Sequence, residues 1–231
     1  MSLLNNLLAK YQHEFKPIIK MAPGEHMIQL DLSLKNKNLT RFVYNSADVF
    51  QQYIRQMMDQ SGATYAWGGY LEERPIYAQR KGFDGRTIHL GVDIWAPPGT
   101  LIYAPLGGFV HSFAYNRGWG NYGPTLVLTH QVEGFAFQAL YGHLSEDSLR
   151  YNETYYLALG EPIAELGTEQ ENGGYPPHLH FQLVVDMETW RGDYPGVCRP
   201  EEVEYYAANC PDPELILNLE KYTRNPAAKL G

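Results

Sequence analysis

The chain has 231 residues, with 18 Lys+Arg against 26 Asp+Glu and a formal net charge of −8. That length buries a substantial core without staples, and an acidic balance with no Lys/Arg block excludes nucleic acid and anionic membrane surfaces as partners. No apolar run reaches the roughly 20 residues that span a bilayer, while 22 Gly, 15 Pro and 18 Tyr suit a strand-rich fold with many turns.

In chain order, Leu4, Leu7 and Leu8 stand at helical spacing and predict a short amphipathic helix within residues 1 to about 20. The start has no basic leader and no small-residue cleavage site, so it does not read as a signal peptide. As it stands the sequence predicts a cytoplasmic protein, or a periplasmic or secreted one if a leader has been lost. Ile28, Leu30, Leu32 and Leu34 alternate as in a strand. A helix then opens at the cap residue Ser46 and carries Val49, Phe50, Tyr53, Ile54, Met57 and Met58 on one stripe before Gly62. "YAWGGYLEERPIYAQRKGFDGRT" reads as an irregular lead-in.

From Ile88 the texture changes. "TIHLGVDIW", "LIYAP", "GGFVHSFAYN", "TLVLTH", "FAFQALYGHL", "PIAELG" and "HLHFQLVVD" predict seven short strands, each ended by Gly, Pro or Asn. Such spacing indicates a mainly β fold with an antiparallel sheet or sandwich core. No internal repeat or linker divides the chain. The predicted core spans residues 83–190, with a small α/β extension over 1–82 packed on it and a C-terminal extension over 191–231. Cys198 and Cys210 lack any CxxC spacing and read as free thiols.

The chemistry centres on "GGYPPHLHFQLVVD". On a strand His178, His180 and Gln182 share one face, with Leu179, Phe181, Leu183 and Val185 on the other, which predicts a half-buried strand. "IHLGVDIW" supplies His89 and Asp93. Four positions apart on a straight strand is about 13 Å, too far to share an ion, so the chain must bend, and Gly91 stands where a bend is easiest. "ALYGHLS" adds His143. Imidazole and carboxylate donors without cysteine match a catalytic zinc site with an open position rather than a closed structural one. Spacing alone leaves open which of His178 and His180 is the ligand; the other would stand as general base or oxyanion donor.

"HLGVD", "YGHL" and "PPHLHFQ" together resemble the signature of the M23 metallopeptidases, the lysostaphin and LytM type endopeptidases. "GTLIYAPLGGFVHS", "GWGNYGPTLVLTH" and "GEPIAELG" resemble that family's Gly-punctuated framework, in order, over about residues 83–186. The resemblance implies a lysostaphin-like β core around a groove, Zn²⁺ held by His89, Asp93 and His180, and His143 and His178 as catalytic histidines. It also implies hydrolysis of peptide bonds, commonly beside glycine or D-alanine in peptidoglycan stems and bridges. The family continues with Glu after HLHF, where this chain has Gln182, and the loop "GTEQENGGYPP" departs from the family's small turn. "YLEERPIY", "GDYPGVC" and "CPDPELILNL" resemble the flanks of the M23-type segment in large phosphotransferase/aminotransferase fusion proteins.

Two other readings compete: an inactive M23-like binding or regulatory module, and a metal-dependent amidase or peptidase for a small cytoplasmic substrate. Trp119 and Asn121 are candidates for the groove wall, and Asp84 and Arg86 for the groove or a solvated turn. Trp95, Tyr141, His111 and His130 read as packing, and Glu169 and Glu171 as a solvated loop.

Overall fold

The computed structural model describes residues 2–78 and 82–224. Helix α1 (Leu3–Tyr11) is capped by the Ser2 side chain and buries Leu4, Leu7 and Leu8. Strand β1 (Met27–Leu30), helix α2 (Arg41–Tyr44) and helix α3 (Ala47–Ser61) follow. α3 begins at the expected Ser46 cap and ends at Gly62, whose left-handed φ of 67° a residue with a Cβ would resist. The strand expected over Ile28–Leu34 stops at Leu30. There Asp31 accepts the Ser33 N–H at 2.9 Å, a local turn that competes with sheet pairing.

The segment expected to be irregular holds β2 (Tyr65–Gly68), β3 (Glu72–Glu73) and α4 (Pro75–Ala78). Next come β4 (Ile88–His89), β5 (Val92–Trp95), β6 (Leu101–Tyr103), β7 (Gly108–Asn116), β8 (Gly123–Val132) and β9 (Phe135–Gly142). The rest are β10 (Tyr156–Leu157), β11 (Pro162–Glu165), β12 (His178–Val184), β13 (Val197–Cys198), α5 (Val203–Asn209) and α6 (Glu214–Leu217). An eight-stranded sheet runs β1-β2-β5-β12-β9-β8-β7-β10, beside a pair β11-β6 and a triplet β13-β4-β3. All pairings in the large sheet are antiparallel except β1 with β2.

The architecture is therefore mixed α/β around a multi-strand sheet, which corrects the mainly β expectation. Helices are not confined to the start of the chain. α5 and α6 are seven and four residues long, too short to show a period in sequence. No helix among the described residues is long and apolar enough to cross a membrane.

Strand β12 is buried along its whole length rather than on one face. Leu179, Phe181 and Leu183 enter the main core with Val92, Ile94 and Tyr141, while Val184 packs with Val127, Leu140, Met187, Tyr194 and Cys210. The polar residues of β12 thus lie in a dry interior, where each needs a partner. Cys198 and Cys210 are free and buried, and burial pushes their thiols up to about 11 and about 12.

His130 is 1% exposed at the Phe137 position of the β8–β9 ladder, with Nδ1 3.1 Å from Gly107 O. Burial pushes its imidazole down to about 4. A depressed folded-state histidine supports the fold above the unfolded value of about 6.5 and loses that support as pH falls through 4, a loss of about 3 kcal/mol. Chemical denaturation of the metal-free protein between pH 7 and 4 should show this slope, and His130→Gln should reduce the total change by about 3 kcal/mol, leaving the part due to the other buried imidazoles, His89, His143 and His178.

Candidate metal centre

Strands β5 and β12 place Asp93 opposite His180 and Trp95 opposite His178. His89 comes from another sheet, since β4 pairs with β13 and β3. The chain crosses between sheets at Leu90–Gly91, the bend that the HxxxD spacing demanded. A Cβ on Gly91 would lie 2.7 Å from both His180 Cε1 and Phe181 O, so only glycine lets the His180 ring sit there.

The three donors converge tightly. His89 Nε2 is 2.9 Å from His180 Nδ1 and 3.2 Å from Asp93 Oδ1, and His180 Nδ1 is 3.1 Å from the same oxygen. A tetrahedral zinc with bonds near 2.1 Å would separate its donors by about 3.4 Å. The opposite nitrogens are occupied: His89 Nδ1–H donates to Gly69 O at 3.0 Å, and His180 Nε2–H donates to Gln182 Oε1 at 2.9 Å. Two imidazole lone pairs and a carboxylate oxygen then face one another inside a buried pocket, an arrangement that a cation makes favourable. His89, Asp93 and His180 thus fit a divalent zinc site, and among the described residues they form the group of donors able to hold one.

The surrounding charges are ordered. Arg74, 2% exposed, donates from Nη1 to Asp93 Oδ2 at 2.5 Å and from Nε to Glu72 Oε2 at 2.7 Å. Glu72 Oε1 accepts the Leu32 N–H at 2.9 Å. With Oδ2 taken, Asp93 offers Oδ1 alone to an ion. Burial by itself raises the Asp93 carboxyl, but the permanent charge of Arg74 on Oδ2 opposes it and the group is held well below the usual carboxylate range. Burial, with Arg74 behind it, pushes His89 down to about 4.

His143 and His178 sit beside the triad with ring centroids 4.2 Å apart. His178 Nδ1–H donates to Pro176 O at 2.7 Å and His143 Nδ1–H to Asn172 O at 2.8 Å. Both acceptors belong to the loop "GTEQENGGYPP", which is fixed by the Asn172 side chain bridging the Tyr175 N–H and C=O at 3.0 Å each. Each ring therefore keeps Nε2 as a free base; His178 Nε2 is 3.8 Å from Asp93 Oδ1. His143 takes a left-handed φ of 64°, a conformation stored by the surrounding frame. Burial lowers both imidazoles.

A cavity of about 340 Å³ opens on this cluster and is bordered by Arg86, Trp119, Asn121, Tyr122, Tyr175 and Asp193 among others. Trp119 and Asn121 border it as expected; of the pair Asp84 and Arg86, left between groove and turn by the sequence, Arg86 borders it and Asp84 is not among the residues that do. Trp95 stacks on His178 at 5.7 Å. Glu171 caps the Thr168 and Glu146 N–H groups and so orders its loop. Sequence reasoning missed Arg74, Tyr122 and the role of Gln182. Gln182 accepts from His180 while its Nε2 donates to Pro195 O at 3.1 Å and Cys210 Sγ at 3.4 Å.

Two substitutions test this frame. Arg74→Met strips the metal-free site of its counter-ion and should cost about 3–5 kcal/mol there, but less with zinc present, because the ion then faces Asp93; parallel melts of both forms measure the gap. Gln182→Glu sets a carboxylate oxygen against Pro195 O and should cost about 1–3 kcal/mol in denaturant titration.

Residues 87–191 match the model of peptidase family M23. The L-Ala--D-Glu endopeptidase of Bacillus subtilis (strain 168) is 30% identical over 141 residues, which cover 57% of this chain and 41% of that enzyme, so the chain spans about two fifths of the relative's length. The catalytic domain of lysostaphin from Staphylococcus simulans is 23% identical with a TM-score of 0.42, covering 70% of this chain and 97% of that domain. A zinc-containing peptidase from Vibrio cholerae is 24% identical with a TM-score of 0.38, covering 51% of this chain and 31% of that one. Residues 87–191 thus match the peptidase family M23 model and contain the buried donor group His89, Asp93 and His180 that fits a zinc ion.

Proposed function

We propose that the protein is a zinc-dependent endopeptidase that hydrolyses peptide bonds, with peptidoglycan stem or bridge peptides as the substrate class. The observation that carries this reading is the convergence of His89, Asp93 and His180 within 3.2 Å beside two imidazoles whose Nε2 atoms carry no proton. Zinc bound by the triad supplies Lewis acidity that polarises the scissile carbonyl and acidifies the attacking water.

The remaining work falls to the chain's own groups. The basic Nε2 of His178, closest to Asp93, takes the proton of the attacking water. That same proton then goes to the leaving amine, either from His178 itself or through His143, whose ring lies 4.2 Å away centroid to centroid. Carbonyls of Asn172 and Pro176 keep both rings from rotating, so orientation is fixed before substrate arrives. The metal donors and both histidines are 1% to 5% exposed, so the reaction is shielded from bulk water.

That enclosure also favours a second reading, a peptidase or amidase for small substrates.

Incubation with muropeptides and with short dipeptides, before and after chelation, decides among these. Cleavage should vanish with the chelator and return with zinc. His178→Ala should keep stoichiometric zinc while kcat falls about 10²- to 10⁴-fold. A zinc-loaded protein that cleaves neither set supports the inactive binding module instead.

A further inference from the structure

The cavity beside the metal centre contains a charge that the proposed chemistry does not use. Asp193 borders it, on a segment that follows residues 87–191. The segment is rigidly held. Gly192 N–H donates to Ser112 Oγ at 2.8 Å and Gly192 O accepts from Asn116 Nδ2 at 2.8 Å. Pro195 O accepts from Gln182 at 3.1 Å, and Gly196 O accepts the Leu90 N–H at 2.9 Å.

Asp193 Oδ1 accepts the Tyr194 N–H at 2.8 Å. Among the described residues its other oxygen has no hydrogen bond and no ion pair includes the carboxylate. Among the described residues, the two arginines that border the cavity are committed elsewhere: Arg86 donates to Phe83 O and Gly82 O, and Arg74 to Asp93 and Glu72. Burial pushes the Asp193 carboxyl up, as expected of a charge lacking a partner. A turn residue needed only to cap the Tyr194 N–H could as well be asparagine. A half-buried negative charge kept on a fixed segment at the mouth of a reaction site is a receptor for a cation, and the ring of Tyr122 in the same wall favours one too.

Resting on the peptidase reading, we propose that Asp193 is a specificity-determining residue that pairs with an ammonium group of the peptide substrate. The ammonium has two sources, the free α-amino end or a basic side chain beside the scissile bond. One peptide backbone prepared with a free amino terminus, with an acetylated terminus, and acetylated with a lysine near the scissile bond separates them.

The zinc-loaded full chain should prefer one of the two ammonium-bearing peptides over the acetylated neutral one by about 10- to 100-fold in kcat/KM. Whichever responds identifies the source. Asp193→Asn keeps the Tyr194 acceptor, and it should bring that ratio to about one through KM, with zinc content unchanged and melting no lower than the parent. Equal rates on charged and neutral peptides, or a ratio that survives Asp193→Asn, would overturn the proposal. So would a melting point several degrees lower, which marks a structural carboxylate. Titration calorimetry of the same peptides on metal-free protein reads the pairing even if nothing is cleaved. Discrimination there that Asp193→Asn abolishes upholds Asp193 while the peptidase reading fails; no discrimination removes the proposal by itself.

Discussion

Two imidazole lone pairs and one carboxylate oxygen, pressed within 3.2 Å of each other in an interior that excludes water, are mutually repulsive unless a positive charge lies among them. The rest of the molecule is arranged to impose that crowding. Gly91 yields its side-chain volume to the His180 ring, β5 and β12 hold Asp93 and His180 in register, and the second sheet brings His89 in from the side. Each ring is locked by an acceptor on its far nitrogen, so the protons are placed where they cannot relieve the crowding. Acceptors behind the ligand rings thus tune a metal site by choosing the tautomer.

Much of that imposition comes from outside the M23-type segment. Gly69 O orients His89 and Arg74 anchors Asp93, both from the stretch between β2 and α4. On the other flank Pro195 O fixes the amide of Gln182, which in turn fixes His180. The amide suits this position because its NH₂ faces a carbonyl and a thiol; a carboxylate has no proton to offer either. Gln182 and the segment that covers it are therefore one unit, and the sequence departure from the family's glutamate has a local physical reason.

The metal donors were legible in sequence because their chemistry demands particular residue types at positions that a strand or a bend can reach. His178 and His180 share a face, and the distance between His89 and Asp93 forced the bend at Gly91. Helix α3 was legible from its cap, stripe and terminal glycine. What stayed hidden depended on tertiary pairing. β2 is four residues long and takes its place between β1 and β5 only after chain segments far apart have met. Arg74 looked like one more charged residue in a loop, since nothing local shows that its guanidinium is 2% exposed. The burial of both faces of β12 was equally invisible, because its second cover comes from residues after position 186.

The separation of the donors along the chain sets an order of events during synthesis. His89 and His180 are 91 positions apart, so a growing polypeptide leaving the ribosome holds two of its three zinc donors, His89 and Asp93, through the whole stretch made before His180. Loop closure over such a span is entropically expensive until the intervening strands have zipped together. Zinc therefore arrives as a keystone, locking an arch already raised, rather than as the seed from which the fold grows.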